Sequence, residues 1–132
     1  MKNQSQAETD GWKGKSVLVV EDSKLMQEQI VAIFESIGMK VVGTCEDGVA
    51  ALAKVKELNP DLVSLDIILP DMNGIECYRE LKKTNAKVRC IFASVLGAHI
   101  SENFREDIPA HLFMNKPFLP DQLRESLKKV FS

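Results

Sequence analysis

From Ser16 onward, short apolar runs alternate with amphipathic stretches. Val17 to Val20 is a continuous run of β-branched residues and leucine, the pattern of a strand covered on both faces. Met26, Ile30, Ile33, Phe34 and Ile37 then fall on one helical face, with Gly38 as the stop signal. Val41 to Cys45 predicts a second strand. Asp47 is placed to cap a helix that turns Ala51, Leu52, Val55 and Leu58 inward. Asn59-Pro60 ends that helix, because a residue before proline disfavours helical geometry. Leu62 to Leu65 predicts the third strand, Ile75, Tyr78 and Leu81 mark the next helix face, and Val88 to Ala93 predicts the fourth strand. Ile100, Phe104 and Ile108, spaced by four, predict a short helix ending before Pro109. Leu112 to Met114 predicts the fifth strand. Pro120 suits the first turn of a last helix, on which Leu123, Leu127, Val130 and Phe131 share a face.

Five strands and five helices in strict alternation predict an α/β fold, a doubly wound parallel sheet with helices on both faces. Right-handed crossovers then bring the C-terminal ends of all strands to one edge, where such sheets bind ligands. The 132 residues suit one domain with a substantial core. Residues 1–14 lack periodicity and read as a flexible lead-in to a domain over 15–132, with Trp12 mobile or loosely packed. A net charge of −2 gives no sign of a nucleic-acid surface. No apolar stretch approaches the roughly 18 residues of a membrane span, and Met1 to Asp10 lacks the apolar centre of a signal peptide. A cytoplasmic location is expected. Cys45, Cys77 and Cys90 have neither disulfide nor metal spacing and read as reduced core or near-surface thiols.

The candidate chemistry lies where the strands end. Asp66 closes the third run, and a carboxylate there is costly to desolvate without a partner. Glu21 and Asp22 follow the first run, Ser94 the fourth and Lys116 the fifth. Three carboxylates against one lysine leave the cluster negative, which calls for a hard dication. Mg²⁺ fits, since it takes one or two carboxylates and keeps waters on its other positions. A carboxylate with Mg²⁺, a lysine and a hydroxyl around it is equipped to attack phosphorus and to bind the transferred oxygens.

These motifs in order are Val-Leu-Val-Val-Glu21-Asp22-Ser23, Asp66 followed by Pro70, Asn73 and Gly74, then Ala93-Ser94, then Lys116-Pro117-Phe118. Over about Ser16 to Phe131 the chain resembles the receiver domain of two-component response regulators, of the single-domain, CheY-like kind. The resemblance implies a flavodoxin-like (βα)5 fold with strand order 2-1-3-4-5. It implies that Asp66 is phosphorylated, that Asp22 and Asp66 bind Mg²⁺ with the backbone carbonyl of Ile68, and that Glu21 acts on the metal through water. Lys116 would pair with the phosphoryl group, Ser94 would be the switch hydroxyl, and Phe113 the switch aromatic. The implied partners are a sensor histidine kinase or phosphotransfer protein, and a separate output protein. The output protein would bind the face formed by the fourth helix, fifth strand and fifth helix. Neither nucleic acid nor membrane insertion is implied, and a role in chemotaxis fits.

Plainer readings stand beside these. Glu21 and Asp22 also suit the positive end of the following helix. Asp71 and Asn73 read as shaping the turn into Gly74, His99 as a loop residue and His111 as a satisfied strand-edge residue. Lys128-Lys129 reads as a solvated helix end or a contact for an acidic partner. A Mg²⁺-dependent aspartyl-phosphate phosphohydrolase commonly has an acid or base two residues after the nucleophile, where this chain has Ile68. A phosphorylation-independent interaction domain would have no use for Asp22, Asp66, Ser94 and Lys116 together. The family usually has Ala, Gly or Ser after the switch hydroxyl, and here Val95 stands there. If its branched side chain crowds the pocket, Val95→Ala speeds both labelling by a small phosphodonor and loss of the label. Unchanged rates in both directions remove that role.

Overall fold

The computed structural model describes residues 10–94, 108–116 and 118–132. Five parallel strands are ordered β2-β1-β3-β4-β5. They are β1 (Ser16–Val20), β2 (Lys40–Cys45), β3 (Leu62–Asp66), β4 (Arg89–Ser94) and β5 (Phe113–Asn115). Helices α1 (Lys24–Ser36), α2 (Gly48–Leu58) and α3 (Gly74–Thr84) follow the first three strands, and a C-terminal helix spans Pro120–Val130. This is the flavodoxin-like order. Val95, His99, Ile100, Phe104 and Pro117, and with them most of the expected fourth helix, lie outside the described residues. So do residues 1–9 of the expected lead-in.

The two-residue alternation of the strands builds two cores. Leu18 and Val20 of β1, Val63 and Leu65 of β3, and Cys90 and Phe92 of β4 pack on one face with Ala51, Val55, Ile75 and Leu81. Val17, Val19, Leu62, Ile91 and Ala93 pack on the other with Ile30, Phe34, Leu123 and Leu127. Burial on both sides is why these runs are apolar without a break. The expected cap at Asp47 forms, accepting the Ala50 N–H at 2.8 Å. Ser23 and Asn73 cap the neighbouring helices, accepting the Met26 and Ile75 N–H groups at 3.3 and 2.7 Å. Helix α2 ends at Asn59-Pro60 as expected, though by a different device. Asn59 adopts a left-handed conformation with φ 46°, so its tolerance of that region stops the helix before Pro60. The fifth strand also begins one residue later than predicted, because Ala110–Leu112 form a 3₁₀ turn.

The larger correction concerns Trp12. It is 1% exposed and packs with Phe34, Ile37 and Leu127. Its Nε1–H donates to the Ile37 carbonyl at 2.9 Å, and the Gly14 N–H donates to the Gly38 carbonyl at 2.8 Å. Gly11 lies so close to the Phe131 backbone that a Cβ would meet the Phe131 carbonyl oxygen at 2.7 Å. Residues 10–14 therefore form a clasp between the end of α1 and the end of the chain. A lone indole among polar residues gave no periodicity from which to read this. Trp12→Ala is expected to lower the unfolding free energy by ~3–5 kcal/mol. The shift is measured as a urea midpoint by circular dichroism. An unchanged midpoint removes the clasp.

Candidate functional site

The parallel ladders align the ends of four strands. Val20 pairs with Leu65, Asp66 with Ala93, and Ser94 with Asn115. Backbone bonds continue past the strands: Glu21 N–H to the Cys45 carbonyl at 3.0 Å, Ile67 N–H to Ala93 at 3.1 Å, and Lys116 N–H to Ser94 at 3.1 Å. Glu21, Asp66, Ser94 and Lys116 thus come to one edge on fixed backbone, as the sequence predicted.

At the centre is the Lys116 ammonium. Its Nζ donates to Asp66 Oδ2 at 2.9 Å and forms an ion pair with Glu21 Oε1. Glu21 is 1% exposed, Asp66 6%, and the Lys116 side chain 8%. Removing such charges from water costs several kcal/mol each, so the mutual attraction is a condition for burying any of them. Burial pushes the Glu21 carboxyl up, and its bonds to Lys116 and the Ser23 N–H offset this only in part. Burial alone would lower the Lys116 pKa, but Asp66 and Glu21 outweigh it and hold the ammonium above its usual range. Asp66 Oδ1 accepts the Ile68 N–H at 3.2 Å, and Glu21 Oε2 accepts the Ser23 N–H at 3.0 Å.

Asp22 is exposed beside this pair, and Glu21, Asp22 and Asp66 each bring a carboxylate oxygen within 4.8 Å of the others. Three hard oxygen donors against one ammonium suit a hard dication that keeps part of its water shell. The site thus fits Mg²⁺ on its donor chemistry. Ser94 is 2% exposed at the end of β4. Phe113 is half-buried and stacks on Phe92, with ring centroids 5.1 Å apart, and Phe92 meets Tyr78 edge-on at 5.4 Å. The Ile68 side chain is exposed, while its backbone forms a bridge with Asn73.

Several supporting residues were not singled out by their sequence pattern. Asn73 stands in the turn into Gly74 as expected and there caps α3, but Asp71 works elsewhere than in the turn assigned to it. Its Oδ1 and Oδ2 accept the Gly48 and Val49 N–H groups at 2.8 and 2.9 Å, at the N-terminus of α2. The loop after Asp66 is thereby tied to a helix more than twenty residues away. Met72 packs so tightly on Gly48 that a Cβ there would collide with it. Gly74 is required too, since a Cβ would collide with the Asp66 carbonyl. Buried Gln27 donates to the Glu21 carbonyl at 3.2 Å and holds that segment from α1. Its place on the apolar stripe, three residues before Ile30, is the signal that marks it. His111 lies in the 3₁₀ turn rather than on a strand edge, and its carbonyl accepts the Ser126 hydroxyl at 2.6 Å. The three cysteines are free and buried, and burial raises the Cys45 thiol to about 11 and Cys77 to about 12.

The bonds from Gly48 and Val49 hold the Asp71 carboxyl below its ordinary value. A depressed folded-state pKa gives stability that is complete above the unfolded value, about 4. It is lost as pH falls through the folded one. Asp71→Asn should therefore lower the thermal midpoint at pH 7, with the deficit closing below about pH 4. A deficit that does not change with pH would remove the charged cap.

The model of the response regulator receiver domain family matches residues 17–128. The chain is 36% identical to the chemotaxis protein CheY of Thermotoga maritima, over 89% of this chain and 98% of that protein. It is 34% identical to CheY of Bacillus subtilis, over 88% and 97%. A protein-glutamate methylesterase of Treponema denticola is 38% identical, but the match covers 76% of this chain and only 28% of that protein. Among solved structures, the CheX-CheY-BeF3-Mg²⁺ complex of Borrelia burgdorferi matches with a TM-score of 0.79 and 30% identity, over 91% of both chains. With Asp66, Lys116, Glu21 and Asp22 gathered at the edge of a 2-1-3-4-5 sheet, the chain belongs to the family of response regulator receiver domains.

Proposed function

We propose that this receiver carries a phosphoryl group on Asp66, taken from a phosphohistidine of a sensor kinase or phosphotransfer protein. The observation that carries the reading is the Asp66 carboxylate, held at 2.9 Å by Lys116 and flanked by Glu21 and Asp22. An Asp66 oxygen forms the bond to phosphorus as the bond to the donor's imidazole nitrogen breaks, and that nitrogen leaves with the electron pair. Mg²⁺, held by Asp22, Asp66 and the Ile68 carbonyl, with Glu21 acting through water, would supply charge neutralisation on the phosphoryl oxygens. Lys116 exchanges part of its contact with Asp66 for a phosphoryl oxygen. The Ser94 hydroxyl donates to another.

The same step supplies a switch. Once Lys116 and Ser94 turn toward the phosphoryl group, the stack of Phe113 on Phe92 is the neighbouring element able to take a second arrangement. The surface around the fourth helix, β5 and the C-terminal helix then changes its affinity for a separate output protein. Phe113 lacks a phenolic hydroxyl, so recognition through it is apolar. Two relatives of nearly the same length, from Thermotoga maritima and Bacillus subtilis, are chemotaxis proteins, which favours that pathway, and a cytoplasmic site of action fits it. Among the described residues no helix is long and apolar enough to cross a membrane. The exposed apolar side chain at Ile68 disfavours a phosphohydrolase, since it offers no acid or base beside the nucleophile.

Incubation with Mg²⁺ and a small acyl phosphate should add one phosphoryl mass to the wild type and none to Asp66→Asn. Chelation of the metal should abolish the gain, and Lys116→Ala should reduce it. Wild-type protein that gains no mass sinks the reading. Rapid multiple turnover of phosphate esters would replace it with the hydrolase.

A further inference from the structure

A second concavity lies at the opposite edge of the sheet, by Val88 and Arg89 at the start of β4 and Leu112 just before β5. Its volume is about 230 Å³, and Lys82, Arg89, His111 and Lys129 stand around an apolar floor that includes buried Val88 and Cys90. The site described above uses none of these residues.

Among the described residues the cations here are held without acids. Lys82 Nζ donates to the Ala86 carbonyl at 3.0 Å and lies 5.7 Å from the Tyr78 ring centroid. The Arg89 guanidinium lies 5.3 Å from the Phe131 ring centroid. Among the described residues no carboxylate pairs with Lys82, Arg89 or Lys129, whereas nearby Lys83 and Lys128 pair with Glu80 and Glu125. His111 is shifted down by burial first and by Lys129 second, with no acid raising it. In a chain of net charge −2, this is a local reversal of sign.

We propose that this pocket docks an acidic segment of a partner protein, with one apolar side chain in the cavity and flanking carboxylates on Lys82, Arg89 and Lys129. Charge complementarity selects the acid. The volume is below the roughly 300–1,000 Å³ typical of small-molecule sites, and it matches a single inserted anchor of the hot-spot kind. The four groups ring one cavity and do not form the extended basic stripe that tracks a nucleic-acid backbone. Because the pocket is on the edge away from Asp66, a partner here leaves the phosphoacceptor edge open. The proposal is independent of whether Asp66 is phosphorylated.

The test uses the full chain and a fluorescein-labelled synthetic peptide with one central leucine flanked by glutamates. Anisotropy at low salt measures affinity, and ¹⁵N shift mapping locates the site. Binding should perturb the amides of Tyr78, Lys82, Arg89 and His111. Replacing the peptide's leucine by serine, or its glutamates by glutamines, should weaken it. Lys129→Glu and Arg89→Glu should each weaken binding by about tenfold or more, with Arg89→Gln as a milder variant should reversal disturb β4. Lys83→Glu, outside the pocket, should change affinity less than about twofold. The proposal is overturned if the acidic peptide does not bind, if Lys83→Glu weakens it as much as Lys129→Glu, or if the shifts map to the Asp66 edge. Tighter binding of a single-stranded DNA oligomer of equal charge overturns it as well.

Discussion

The Lys116 ammonium faces two carboxylates, Glu21 and Asp66, that have almost no access to water. None of the three could be buried alone at an acceptable cost, so each is the condition for the other two. The sheet supplies that condition. β5 delivers Lys116, β3 delivers Asp66, and the turn after β1 delivers Glu21, all on backbone that continues the hydrogen-bond ladder past the last strand residue. The pairing leaves surplus negative charge, to which exposed Asp22 adds. One arrangement therefore accounts for both the stability of the edge and its fit to a hard dication.

The surroundings keep this edge rigid through contacts that act at a distance. Asp71 ties the loop after Asp66 to the first turn of α2, Met72 fills the space left by Gly48, and Gly74 lets α3 begin against the Asp66 carbonyl. Gln27 holds the Glu21 carbonyl from α1. Side chains that must act together have to be held to well under an ångström, and here three helices share that work. At the far edge Trp12 closes α1 onto the C-terminal helix with an indole bond to Ile37. The basic pocket lies at that same far edge, apart from the acidic one, so the two ends of the sheet differ in the sign of their charge.

Much of this was legible from the order of residues. Unbroken apolar runs, separated by helical stripes with Asp47 placed to cap one of them, dictate an alternating parallel fold, because each pattern suits only one kind of element. The fold in turn dictates that polar residues ending those runs meet at one edge, so Glu21, Asp66, Ser94 and Lys116 could be named as a group. Strand order came from family resemblance, since alternation is compatible with several orders. Trp12 and Asp71 were not assigned their roles, because each depends on a partner more than twenty residues away and local patterns carry no trace of it.

Sequence by itself thus determined which elements form and which side chains sit at their ends, since propensity, capping and hydrophobic period are local properties. Tertiary structure decided what those side chains do to one another. Lys116 lies between Glu21 and Asp66, and Asp71 on the tip of α2, because distance and solvent exclusion set the strength of an electrostatic contact. Both quantities exist only once the strands are side by side.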